Sequence, residues 1–466
     1  MAGSITSGSI SLTPSAVKAT LSSNYISTFD LLDQYLPDLQ EQEFARYGER
    51  TIKGFLEKMS AEMPSNSDLI RWTEEGRLHT KYTSVSTTTA VVSGQQTFDI
   101  GASNHNFRLN ETVILSSASG GKAEKAIIVD IAPGSPADPT QFTVAYYSAV
   151  TPGFANPTTD VIVFVYGSEF KKGDNGMQGS LEAETQVFSV KPVIIKDRFE
   201  IAGSDMAQIG WVEVETDQGL SYLWYLKSKS DTRKRYDDKL EMMMIEHVDA
   251  DPSSGVDTYF GTSGTWGSMG LFESIETRGN VWSGGTPSTL ADFDDILEQL
   301  DGQGAIAENT LFVNRAFALA IDDMLAAQNS YGVGGTSYGL FDNNEKMALN
   351  LGFTGFRRGS YDFYKTDWKY LNDATTRGGL VGGKVNGVLV PAGTMNVYDE
   401  VMGKRVSRPF LHVRYRASET ENRKYKTWIT GSAGGATNSD VDAMYVNFLS
   451  ERALCTLGAN NFFIFE

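Results

Sequence analysis

Apolar positions along this chain recur with two periods, and the period changes several times. Phe44, Tyr47, Ile52, Phe55, Leu56 and Met59 fall at helical spacing. Ser27 or Thr28 can cap such a run, Asp30 and Asp33 suit its first turn, Pro37 breaks it, and Pro64 ends it. One or two amphipathic helices are therefore predicted over about 27–62. From about Thr80 to Asp197 the pattern turns to short strands: Thr89 to Val92, Phe107 to Leu115, Lys125 to Ile131, Phe142 to Tyr147 and Val161 to Phe164. Gly120-Gly121, Pro133-Gly134-Ser135-Pro136 and Pro152-Gly153 separate them, so a small all-β barrel or sandwich is expected.

Gly219 to His247 then reads as one long helix. Leu220, Leu223 and Trp224 form an apolar cluster at one end, and Tyr236, Leu240, Met243 and Met244 form another. Charged residues fill the middle, which suits a helix lying on a surface or crossing between contacts. Thr286 to Thr289 precede a stripe of Phe293, Ile296, Leu297 and Leu300, and Gly302 is placed to stop it. Leu311-Phe312-Val313 predicts a strand, and Phe317, Ile321, Met324 and Leu325 predict a second helix. Further strands are expected at Asp362 to Tyr364, Val388 to Pro391, Phe410 to Arg416, Lys426 to Thr430, and Val441 to Leu457. The leading stretch, Met1 to Asn24, is rich in Ser, Thr and Gly, and would order only if gripped by neighbouring chains or its own body.

Composition narrows the function classes. With 41% hydrophobic residues in 466, the chain can bury a sizeable core. A single cysteine, Cys455, excludes an intrachain disulfide and a thiolate zinc cage, and the four histidines are scattered. No cofactor or metal is expected. No apolar run approaches the ~18 residues of a membrane span, and no secretory leader is visible before Lys18. The net charge of −18 argues against a chain that coats DNA over its whole surface.

Two motifs fail on context. Gly335-Thr336-Ser337-Tyr338-Gly339 matches a nucleophile elbow, but a flexible polar stretch precedes it and His412 is the only downstream histidine. Gly378 to Lys384 approaches a phosphate loop, but Val385 stands where a magnesium-binding hydroxyl is needed. No enzyme is expected. One charge feature stands apart. Between Val401 and Thr427 lie Lys404, Arg405, Arg408, Arg414, Arg416, Arg423, Lys424 and Lys426 against only Glu419 and Glu421. These eight cations either blunt a solvated strand edge or contact acidic patches on neighbouring copies.

In element order the chain resembles tailed-phage major capsid proteins of the HK97-like fold, and within them the larger podovirus-type branch that includes the crAss-like phages. The resemblance implies an α+β fold. Its parts are an N-terminal arm and helix (1–77), an E-loop region (78–209) with an inserted barrel-like all-β domain (about 85–175), a P domain spine helix (210–257), an A domain (258–400) and a return to the P domain (401–466). The stretches LADFDDILEQL and NTLFVNRAFALAIDDML match the A domain, and NFLSERALCTLGANN the closing part of the P domain. It further implies an icosahedral shell around double-stranded DNA, built from identical copies in hexamers and pentamers. Portal and decoration proteins would be partners, no membrane is involved, and assembly takes place in the host cytoplasm before the protein resides in the virion. If Met1 is the native start, no leading scaffold segment is cleaved. Two alternatives stay open: an encapsulin-like compartment shell, and a secreted β-rich carbohydrate-binding or adhesive protein.

Overall fold

The computed structural model describes residues 52–466 except 78, 80, 102–104, 135–137, 150–151, 182–184, 209–213, 217–218, 222, 262–265, 329–353, 400–403 and 436. The leading arm, most of the predicted 27–62 helices and the Ser337 loop lie outside the described residues. The chain divides into two units, residues 71–188 and the remainder on either side of them.

Where the first helical run becomes visible it is a short helix, α1 (Phe55–Met59). Pro64 does not end it. The chain leaves at Ser60 and Pro64 sits inside a strand, β1 (Ala61–Ser65). That strand lies at a sheet edge, the position where a residue without an N–H is tolerated.

The inserted unit begins with β2 (Ile70–Glu75) and closes a six-stranded barrel from β3 (Lys81–Thr87), β4 (Gln95–Asp99), β5 (Glu111–Ser117), β6 (Ala123–Ile131), β7 (Gln141–Tyr146) and β8 (Val161–Ser168). The barrel order is β3-β4-β7-β6-β5-β8. Alternation fills its interior: Phe98, Val113, Leu115, Ala126, Ile128, Phe142, Val144, Val161 and Val163 are all buried. The predicted strand Thr89 to Val92 is a correction. Ser93 and Gly94 both take positive φ, Val92 and Gln95 exchange backbone hydrogen bonds around them, and the strand begins only after this tight turn. The unit closes with β9 (Thr185–Val190), which pairs with β2 as a separate two-stranded ribbon.

The second unit resumes with β10 (Val193–Ala202), α2 (Gly203–Gln208) and a hairpin of β11 (Val214–Thr216) and β12 (Gly219–Ser221). The long helix α3 therefore runs from Leu223 to Glu246, not from Gly219. Gly219, a poor helix former, pairs with Thr216 instead. Next come α4 (Gly255–Phe260), α5 (Leu271–Arg278), β13 (Asn280–Trp282), α6 (Leu290–Gln303), β14 (Glu308–Val313), α7 (Arg315–Gln328), β15 (Gly355–Arg358), β16 (Tyr361–Asp367) and β17 (Gly387–Pro391). A hairpin of β18 (Thr394–Asp399) and β19 (Lys404–Pro409) leads to β20 (Leu411–Arg416), β21 (Lys426–Gly431), the long β22 (Ala443–Thr456) and β23 (Phe463–Phe465). Helix α6 has the expected capping box, with Thr289 and Asp292 reciprocally bonded. It ends on Gly304 in the left-handed region, two residues beyond the expected Gly302.

Two sheets organise this unit. In the first, β22 pairs with β10 along one edge; along the other it pairs with β21 and then β20, and β1 runs parallel to β20. The second has order β13-β23-β17-β14-β16-β15. Its side chains alternate between two cores. Leu311, Val313, Leu389, Phe463 and Phe465 pack with Phe293, Ile296, Leu300, Phe317 and Ile321 of α6 and α7. Phe312, Val388, Val390 and Ile464 join the larger core with Phe55, Tyr236, Leu240 and Phe448. A sheet covered on both faces reads as continuous apolar runs, as Leu311-Phe312-Val313 does. No described helix is long and apolar enough to cross a membrane.

Candidate functional site

The basic segment 401–427 spans β19, β20 and β21. Among the described side chains, five of its cations are engaged by groups of their own chain. Glu451 of β22 is buried, and both of its oxygens are used: Arg423 approaches at 2.7 Å and Arg416 at 3.7 Å. Arg416 also reaches Asp68 at 2.5 Å, and Lys426 pairs with Glu421 at 2.7 Å. Lys424 and Arg452 both pair with Glu62 of β1, while Arg414 donates to the carbonyl of Pro64 at 3.3 Å. The remaining three lie on the β18–β19 hairpin. Arg408 is half-buried; Lys404 and Arg405 stand opposite Asp399 and Tyr398 in register.

Sequence reasoning missed the acidic half of this arrangement. Two carboxylates of α3 hold the N-terminal segment in place. Asp238 accepts from the N–H of Ile52 at 3.0 Å, and the two oxygens of Glu241 accept from Gly54 and Phe55 at 2.8 Å each. Burial pushes the Glu241 carboxyl above its usual range, against the lowering effect of these N–H groups. Residues 52–68 are thus fastened twice, to α3 by backbone donors and to the β20–β22 sheet by side-chain charges. The signal was present only as isolated acids in the charged middle of α3. Nothing in their spacing names partners 186 residues away.

On β20 itself lies His412, 3% exposed and opposite Cys455 in the ladder. Burial, then the charges of Arg414 and Arg408, push its imidazole down to about 4, so it is neutral at physiological pH. Burial likewise pushes the Cys455 thiol up to about 12, which leaves it an inert core residue. The Gly378 to Lys384 segment begins inside a turn of 3₁₀-helix at Arg377–Gly379 and leads towards strand β17, not into a helix, so no phosphate cradle forms. Among the described residues, no group of three or more His, Cys, Asp or Glu is placed to hold a metal ion.

No family model matches the sequence, and no curated protein matches it. The chain is similar to solved phage capsid structures. The asymmetric unit of the mature capsid of bacteriophage PhiM1 is 8% identical over 97% of this chain and 98% of that one, with a TM-score of 0.40. The structure titled Microbacterium phage Oxtober96 is 10% identical over 92% of this chain and 95% of that one, with a TM-score of 0.39. The SrpI encapsulin of Synechococcus elongatus is 8% identical over 61% of this chain and 77% of that one, with a TM-score of 0.34. At such scores the functional reading is built on this chain's own geometry.

Proposed function

We propose that this chain is a structural shell subunit: a tailed-phage major capsid protein of the HK97-like fold. Identical copies, as hexamers and pentamers, would close an icosahedral shell around double-stranded DNA. The β2–β9 ribbon carries the reading. It is two strands wide and exposed or half-exposed along nearly all its length, with Val187 projecting into solvent. A two-stranded ribbon is marginal in water by itself, so it gains most from lying on another copy. In the HK97-like scheme this ribbon is the E-loop, and the barrel is a domain inserted into it. The order of parts around it supports the same reading: a leading segment fastened to a long helix, a helix-covered sheet, and a long late strand, β22, that returns to the first sheet.

The basic segment has a narrower role in this scheme than eight free charges would have. Lys404, Arg405 and Arg408 lead as contacts to neighbouring copies. Arg414, Arg416, Arg423, Lys424 and Lys426 contribute what their internal partners leave unneutralised. The net charge of −18 would keep packaged DNA from adhering to the inner wall.

Electron microscopy of the purified full chain tests this reading. Closed polyhedral particles are expected, and a monodisperse monomer at high concentration overturns it. Particles that enclose protein in place of DNA when isolated from a producing cell would favour the encapsulin-like compartment instead.

A further inference from the structure

The outer face of the barrel carries a shallow groove of about 540 Å³ near the ends of β5, β6 and β8. Its walls are two tyrosines. Tyr166 is 47% exposed and Tyr147, just after β7, is 51% exposed. Tyr166 is the extra residue of a bulge: Thr112 pairs with Gly167 and Val113 with Val165, so β8 has one residue more than β5 there. Bulges re-aim side chains and are favoured next to binding sites. The Lys125 ammonium lies over the Tyr166 ring, 5.9 Å from its centroid. The Tyr147 hydroxyl donates to the Glu169 carboxylate.

The floor supplies an independent observation. Thr112 is only 5% exposed and lines the groove, yet its hydroxyl has no hydrogen-bond partner among the described residues. Such a group normally has one. Gly167 lies directly against it, where an added Cβ would come within 3.1 Å of Thr112 Oγ1. A side chain at 167 would crowd the hydroxyl; glycine leaves room there.

We infer that this groove binds a neutral pyranose unit of a glycan. A pyranose has an apolar C–H face and a rim of hydroxyls. Half-exposed tyrosine rings offer an apolar body and a polar tip to match it. Glu169 accepts from sugar hydroxyls and Lys125 donates to them, while the Thr112 hydroxyl, covered in the empty groove, gains its missing partner by rotation of its side chain towards the sugar. The paired signs of Lys125 and Glu169 argue against a phosphate or nucleic-acid ligand, which the carboxylate would repel. This site stands whether or not the chain builds a shell.

The test uses the full chain, whatever its assembly state. Maltotriose, cellotriose and triacetylchitotriose are titrated in solution by calorimetry, and retention is measured on amylose, cellulose and chitin. Saturable binding of at least one trisaccharide is expected. Retention on the matching polymer as well identifies a polysaccharide surface as the source; binding of the soluble sugar alone identifies the free saccharide. Tyr166→Ala should weaken binding about tenfold or more, and Thr112→Val, which keeps shape and removes the hydroxyl, should weaken it too. Val92→Ala, an exposed position outside the groove, should not. Lys125→Met is a second groove variant should Tyr166→Ala fail to fold. The inference is overturned if none of the three sugars binds, or if binding survives Tyr166→Ala, Lys125→Met and Thr112→Val unchanged.

Discussion

The barrel and the six-stranded sheet are built on opposite plans. The barrel fills its own interior, so most of its strands spend every second residue on the core and leave the other partly free, the start of β5 excepted. Phe142 and Val144 point in; Thr143 between them does not. The middle of the six-stranded sheet has no free face, because Phe312 and its neighbours Leu311 and Val313 are all buried, on opposite sides; only its outer strands expose large side chains, Val281 and Tyr364. The difference teaches where new chemistry can be added at little cost. A residue on the outside of the barrel can become Tyr166 or Lys125 without disturbing packing. A residue anywhere in the middle of the sheet touches one core or the other.

The sharpest way to break this comparison is to cut one ring out of each. Phe142 packs 5.6 Å from Phe98 and 4.6 Å from Phe107, centroid to centroid, and Phe312 packs 4.7 Å from Phe55. Phe142→Ala and Phe312→Ala should each cost about 3–5 kcal/mol. Hydrogen exchange read by mass spectrometry should place the loss in the barrel for the first and in the larger unit for the second. Equal loosening of both regions by either variant would mean that the two cores do not melt independently.

A smaller effect should separate the regions by pH. His412 belongs to the larger unit, and its folded state stays neutral down to about pH 4, whereas the unfolded chain takes the proton near 6.5. Between those values the unfolded state binds more protons. Stability is therefore complete above pH 6.5 and falls, by up to about 3 kcal/mol, as pH drops to 4. Urea midpoints in that window should show the slope in the native chain and lose it in His412→Gln. A slope that survives the substitution would assign it to another group.

The smallest of these effects concerns the fastening of the N-terminal segment. Glu241→Gln keeps one acceptor oxygen where two N–H groups need two, so about 1–3 kcal/mol should be lost. Exchange should quicken at Gly54 and Phe55 first. Unchanged protection there would show that α1 is held by its apolar contacts alone.

Local patterns carried much of the architecture. Four of the five strands expected in the 80–197 region were legible because burial on one side forces a period of two, and Ser93-Gly94 displaced the remaining one. The α6 stripe and its cap were legible because helical spacing and Thr289 are both local; its stop was misplaced by two residues, since both Gly302 and Gly304 suit an end. The start of α3 was misread because a hairpin partner at Val214–Thr216 outweighed the helical pattern.

The basic segment shows the limit most clearly. Its composition was plain from the order of residues, and so was its contrast with an acidic chain. That five of its cations are held by Glu62, Glu421, Glu451, Asp68 and the Pro64 carbonyl was not. Charge is a property of a residue, but pairing depends on distance in space, and β1 is brought against β20 only by the fold. For the same reason the tyrosine-lined groove was invisible in the chain, because Thr112, Lys125, Tyr147 and Tyr166 meet only when β7, β6, β5 and β8 lie side by side in the barrel. Periodicity is written along the chain, whereas a site is written across it.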